Sequence, residues 1–130
     1  MDKPLLHHFA FNIKPNTLEL TVEILKLLNC TVSYRESGKR WCMISQDFIP
    51  VNIQLIEMDA AVVPLRRKIS THIAFLSKSP KEHIKKIEEW AKDNNLKFQH
   101  GNCTDKEFWF DLPDIFINFV IEIMHTSVVE

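Results

Sequence analysis

Polar and apolar residues alternate from position 8 to 13. Phe9, Phe11 and Ile13 fall on one side; His8, Ala10 and Asn12 fall on the other. That period of two predicts a half-buried strand. The period then changes. Leu18, Val22 and Leu25 form one stripe, which predicts a helix over residues 17–28. Asn16, with Glu19 three residues on, has the spacing of a capping box. Three short strands follow, over 31–37, 40–45 and 51–58, punctuated by Gly38 and Pro50.

The same order then recurs. Residues 71–76 read as a strand. Ser79-Pro80-Lys81-Glu82 reads as a helix start, with an N-cap, proline at the first position and glutamate at the third. Ile84, Ile87 and Ala91 carry the helix to about Asp93. Strands over 96–99, 107–112 and 116–124 complete the second set. His8-Phe9-Ala10-Phe11 matches His72-Ile73-Ala74-Phe75 at an offset of 64. Trp41 falls on Trp109, Phe48 on Phe116, and Ile53-Gln54-Leu55 on Ile121-Glu122-Ile123, at an offset of 68. About four extra residues therefore precede the second tryptophan. The chain reads as α+β: a βαβββ unit over 6–58, a linker over 59–68, and a second βαβββ unit over 69–125. The basic run Arg66-Arg67-Lys68 reads as part of a solvated connector.

Composition narrows the function. The 130 residues suit one domain, built by packing the two copies together. There are only two glycines, Gly38 and Gly101, far too distant for a phosphate-binding loop. A net charge of −1 creates no strong field toward nucleic acid or anionic lipid. Cys30, Cys42 and Cys103 make an odd set without CxxC spacing. They point neither to a disulfide framework nor to a cysteine zinc site. Two Asn-Cys-Thr triplets fit the glycosylation pattern, but no signal-like segment opens the chain and no apolar run is long enough for a membrane span. The expectation is a reduced, cytoplasmic protein.

The chemistry is expected on the strand faces turned away from the helices. His8 and His72 lie there at repeat-equivalent positions, and so do Gln54 and Glu122. Two imidazoles, one carboxylate and one amide oxygen suit a divalent metal. Glu122 is the most unusual of the four. A carboxylate in the apolar strand Val120-Ile121-Glu122-Ile123 needs a cation or hydrogen bonds.

These features resemble the vicinal oxygen chelate superfamily, which includes glyoxalase I, methylmalonyl-CoA epimerase, extradiol dioxygenases, fosfomycin-resistance enzymes and bleomycin-resistance proteins. The likeness runs from about residue 6 to 125. It rests on the His-x-Ala-Phe strand starts, the paired βαβββ units and the Ile-Glu-Ile strand. It implies a glyoxalase-like fold with a cupped mixed β-sheet. It also implies metal ligands His8, Gln54, His72 and Glu122, a set like the epimerase's. Bacterial-type glyoxalase I usually has glutamate where Gln54 stands. Glu57 is the competing fourth ligand, but it breaks the offset and points to the opposite face of a regular strand. The segment Leu112-Pro113-Asp114-Ile115-Phe116 lacks the Asp-Pro-x-Gly turn that many members carry there.

The resemblance implies metal-assisted proton transfer beside a carbonyl of a small molecule, as in a lyase or epimerase. The ion would be Zn, Ni, Co, Mn or Fe. Glu122 would be ligand and base. Glu57, His7 and His100 are candidates for a second acid or base. One alternative is a metal-free, antibiotic-sequestering protein of the bleomycin-resistance type. There Trp41 and Trp109 either stack on ligand or pack in the core; under either reading Asn12, Asn52 and Asn118 line a polar, substrate-binding cup. A further alternative is an Fe(II) extradiol-type dioxygenase with His8, His72 and Glu122 as a facial triad. Loops 38–40 and 100–106 would shape specificity. A homodimer is implied by the family, with no nucleic-acid or membrane partner.

Overall fold

The computed structural model describes residues 2–130. The chain forms two compact units, divided between Asp59 and Ala60. In the first, β1 (His8–Ile13), α1 (Leu18–Leu27), β2 (Thr31–Tyr34), β3 (Trp41–Ser45) and β4 (Asn52–Glu57) follow in order. The four strands make one sheet in the order β1-β4-β3-β2, with β1 and β4 parallel and the other pairs antiparallel. The second unit opens with a short helix, α2 (Leu65–Lys68). It continues with β5 (His72–Ser77), α3 (Pro80–Asp93), β6 (Gln99–Asn102), β7 (Glu107–Asp111) and β8 (Val120–His125). Its sheet has the equivalent order, β5-β8-β7-β6.

The helix stripes do what their spacing predicts. Leu18, Val22 and Leu25 are buried on α1; Ile84, Ile87 and Ala91 are buried on α3. Each fully buried leucine adds about 1.5–3 kcal/mol of hydrophobic stabilisation. Both helices end the same way. Asn29 and Asn95 sit at positive φ just past the helix, and the next amide returns to the helix, Cys30 to the Leu25 carbonyl and Leu96 to the Ala91 carbonyl, each at 2.9 Å. A left-handed residue is normally glycine here, and asparagine is the usual substitute. A chain with two glycines thus closes its helices with asparagine.

The expected capping box on α1 does not form. Asn16 is itself left-handed, at φ 65°, and Thr17 is the cap without a side-chain bond. The Leu18 amide instead donates to Glu57 Oε2 of β4 at 3.0 Å. Glu19 turns to Arg40, whose Nη1 and Nη2 each lie 2.8 Å from it, and to Arg35 at 3.1 Å. Arg40 also reaches Glu57, with Nη2 at 2.7 Å from Oε2. Hydrogen bonding to Arg40 holds the Glu19 carboxyl down at about 2. For Glu57, burial pushes the carboxyl up, but Arg40 and the Asn16 and Leu18 amides together pull it down further. A carboxyl lowered in the folded state stabilises fully above its unfolded pKa. That stabilisation is lost as pH falls through the folded value. Stability should therefore decline between about pH 4.5 and about pH 2. Arg40→Met should flatten that decline in urea titrations at pH 6 and pH 3. The carboxylate of Glu19 is exposed, so solvent screens its share.

Three strands differ most from the sequence reading. β6 spans Gln99–Asn102 rather than 96–99, and β2 ends at Tyr34 rather than at 37. β8 begins at Val120, because the preceding apolar run is not strand. Leu112, Ile115, Phe116, Ile117 and Phe119 are buried in a turn, with the Phe116 and Phe119 rings 4.4 Å apart. A continuous apolar run has no period that separates a strand from a packed turn. The basic run is also corrected. Lys68 is 1% exposed, so the connector is not wholly solvated. Its Nζ lies 2.9 Å from Asp111 Oδ1 and donates to the Phe116 carbonyl at 2.8 Å.

Candidate metal-binding pair on the second sheet

Register decides which side chains share a face. In the second sheet Ala74 pairs with Glu122, Glu122 with Trp109, and Trp109 with Gly101. Paired residues of a sheet project to the same side, as do residues two apart along a strand. His72, Ala74, Glu122 and Trp109 therefore occupy one face. Ala74 leaves the space beside Glu122 open. His72 Nε2 lies 3.5 Å from Glu122 Oε2, with 37% and 13% of the side chains exposed. The other ring nitrogen, Nδ1, is 3.1 Å from the Ile69 carbonyl. A carbonyl only accepts, so Nδ1 donates in that bond, and Nε2 is the ring nitrogen turned toward Glu122.

This arrangement fits a divalent ion. Metal-binding histidines typically donate their second ring N–H to a carbonyl or carboxylate. Donors bound at about 2.0–2.2 Å sit roughly 3–3.5 Å apart. The pair supplies one ring nitrogen and one carboxylate oxygen at that spacing. Among the described residues, no three His, Cys, Asp or Glu side chains are gathered as a metal cluster.

Trp109 borders the pair in a defined way. A Cβ at Gly101 would meet its indole at 2.7 Å. The ring therefore occupies the space that only glycine leaves free on β6. Two depressions, of about 410 and 570 Å³, lie elsewhere in this unit. They are lined by α3 residues and Phe108, which alternates to the opposite side of β7 from Trp109.

The first sheet carries the equivalent positions. His8 pairs with Asn52 and Ala10 with Gln54, so His8, Asn12, Asn52 and Gln54 share one face. His8 Nδ1 lies 3.0 Å from His7 Nδ1, with the rings edge to face. Met43, not Trp41, is the neighbour of Gln54; Trp41 sits two residues away on the same face, opposite Ile56 and 5.7 Å from the Tyr34 ring. The match of Trp41 to Trp109 is thus corrected by two residues. Offsets run 64 for β1/β5, 66 for β3/β7 and 68 for β4/β8, because the second unit lengthens its connections in two steps. Both tryptophans are half-buried.

Other candidates fall away from this face. Glu57 is engaged by Arg40 and the Leu18 amide on the helix side, the face opposite Gln54. His100 pairs with Phe110, putting it on the opposite face from Glu122, near Phe98 and 3.9 Å from Glu88. Asn118 lies before β8 and not within it. All three cysteines are free, with Cys30 and Cys42 buried. Burial pushes the Cys30 thiol up to about 11, so it is inert as a nucleophile.

Lys68, Asp111 and the Ile69 carbonyl were not legible as parts of this region. Asp111 carried the same signal as Glu122, a carboxylate inside the apolar strand Phe108-Trp109-Phe110-Asp111. Burial pushes its carboxyl up, while the Lys68 ammonium pulls the other way.

No protein-family model and no curated protein matches the chain. Solved structures do. A candidate glyoxalase from Bacillus halodurans superposes with a TM-score of 0.62 at 14% identity, covering 93% of this chain and 95% of that one. The fosfomycin resistance protein FosX from Listeria monocytogenes, as a point variant complexed with Mn(II) and 1S,2S-dihydroxypropylphosphonic acid, gives 0.58 at 17% identity, covering 95% and 93%. TnmS3, an antibiotic binding protein from Streptomyces sp. CB03234, gives 0.58 at 11% identity, covering 96% and 98%. No helix among the described residues is long and apolar enough to cross a membrane. With two βαβββ units in equivalent strand order and these structural neighbours, the chain has the fold of the vicinal oxygen chelate superfamily.

Proposed function

We propose that this protein is a divalent-metal-dependent lyase or epimerase that moves a proton beside a carbonyl of a small molecule. The observation that carries the reading is the pair on the second sheet: His72, its Nδ1 held by Ile69, with Nε2 facing Glu122 at 3.5 Å. His72 and Glu122 would hold the ion, and His8 and Gln54, the equivalent residues of the first unit, would complete the donor set. When bound, a divalent ion supplies Lewis acidity that stabilises the oxyanion formed as the adjacent proton leaves. Glu122 has two oxygens: one would hold the ion and the other would accept the proton. Its apolar flanks, Ile121 and Ile123, are buried and hold the carboxylate in one place. The protein would work as a homodimer, as the resemblance implies.

Metal analysis and turnover test this. Purified protein should carry or take up Zn, Ni, Co, Mn or Fe. One of a set of hemithioacetals and 2-methyl-3-oxoacyl thioesters should turn over, in a reaction that chelation stops and metal restores. One observation favours a second reading. The half-buried indole of Trp109, seated on Gly101, offers a stacking surface for a planar ligand. Tight binding of such a ligand by protein that takes up no metal would replace the enzyme with a sequestering protein, as the antibiotic-binding TnmS3 neighbour suggests.

A further inference from the structure

We infer that the buried Lys68–Asp111 ion pair is a positioning device for His72, setting the aim of its imidazole through the Ile69 carbonyl. The consequence for metal binding rests on the reading above. The orientation itself belongs to the metal-free protein.

The chain of contacts is short. Lys68 is the last residue of α2, and its side chain runs fully inward. Its ammonium touches Asp111 at the end of β7 and donates to Phe116 in the turn before β8. Ile69 follows directly, and its amide donates to the Leu65 carbonyl at 2.9 Å. The Thr71 amide donates to the Lys68 carbonyl at 3.0 Å, and Ser70 Oγ donates to the Arg67 carbonyl at 2.9 Å. Val120, two residues before Glu122, donates to the Thr71 carbonyl at 3.0 Å. The turn that delivers His72 is therefore tied at one end to β8 and at the other to the buried ammonium. The Ile69 carbonyl, which takes the Nδ1 proton, lies between those ties.

Energetics points the same way. Burying two charges is costly, and a well-packed apolar pair would serve stability as well or better. An apolar pair is non-directional, however. An ammonium held between a carboxylate and a carbonyl fixes where its own backbone lies, and hence the carbonyl of the next residue.

The test reads the ring's hydrogen bond directly. In metal-free wild-type protein, ¹H–¹⁵N spectra should show the His72 Nδ1–H slowed in solvent exchange by the Ile69 carbonyl. Two variants break the device while keeping the interior filled: Lys68→Met combined with Asp111→Leu, and Asp111→Asn. In both, that protection should be lost, and Zn(II) affinity should fall about ten-fold or more. A folded variant that keeps the protected Nδ1–H and wild-type Zn(II) affinity overturns the inference. Loss of protection in the variants, with no Zn(II) bound by the wild type, would leave the positioning intact and remove the metal reading instead.

Discussion

Lys68→Met should destabilise the protein by about 3–5 kcal/mol, the cost of leaving a buried carboxylate without its cation. Asp111 is 1% exposed, and Lys68 is the cation beside it, at 2.9 Å from Oδ1. The ion-pair contact lies outside hydrogen-bond angles, so Oδ1 has no hydrogen-bond partner among the described residues. Nothing would replace the ammonium in the variant. The Phe116 carbonyl would lose its donor as well, at a further cost of about 1–3 kcal/mol where no water can enter. Losses of that size approach the whole stability of an ordinary domain, about 5–15 kcal/mol. Adding Asp111→Leu should recover most of the loss, because the double variant buries no charge. Urea unfolding of the single and double variants measures both quantities. Equal losses in the two would show that the charge is not the cause.

His72→Ala should reduce divalent-metal affinity about 100-fold or more. It removes a nitrogen donor whose ring is already held by the Ile69 carbonyl in the folded protein, which lowers the ordering cost of binding. Glu122→Gln should have a comparable effect, since it leaves the shape of the side chain and removes the only anion of the pair. Glu57→Gln is the contrast. Its carboxylate is already committed to Arg40 and the Leu18 amide, so metal affinity should hold while stability drops. Calorimetric titration with Zn(II) or Mn(II) checks all three. Unchanged affinity in His72→Ala would mean that the pair is a surface contact only.

Much of this fold was legible because its signals are periodic. The strand at His8 alternates, the helix stripes repeat at three and four, and the units repeat each other. What failed was what periodicity does not encode. The run from Phe116 to Phe119 is apolar but for Asn118, and it packs as a turn instead of extending β8. Asn16 looked like a cap, but Glu57, 41 positions away, binds the helix amide instead. Lys68 looked solvated because its neighbours Arg66 and Arg67 are charged, yet tertiary structure buries it against Asp111. The faces of His72 and Glu122 followed from alternation alone. Their spacing, and the Ile69 carbonyl behind the ring, depended on a register that only the folded sheet supplies. The tryptophan match failed by two residues for the same reason. Both positions share a face, and only the rung shows that Met43 stands where Trp109 does.

The central proposal is that a divalent ion binds through Nε2 of His72, beside Glu122. The chain has six histidines, at positions 7, 8, 72, 83, 100 and 125, so their ring nitrogens can be followed individually. A Zn(II) titration of ¹⁵N-histidine-labelled protein tests it most directly. Nε2 of His72 should shift and saturate at one ion per site, with the rings of His83, His100 and His125 unmoved. Shifts confined to His7, His83, His100 or His125, or no saturable shift at all, would contradict it.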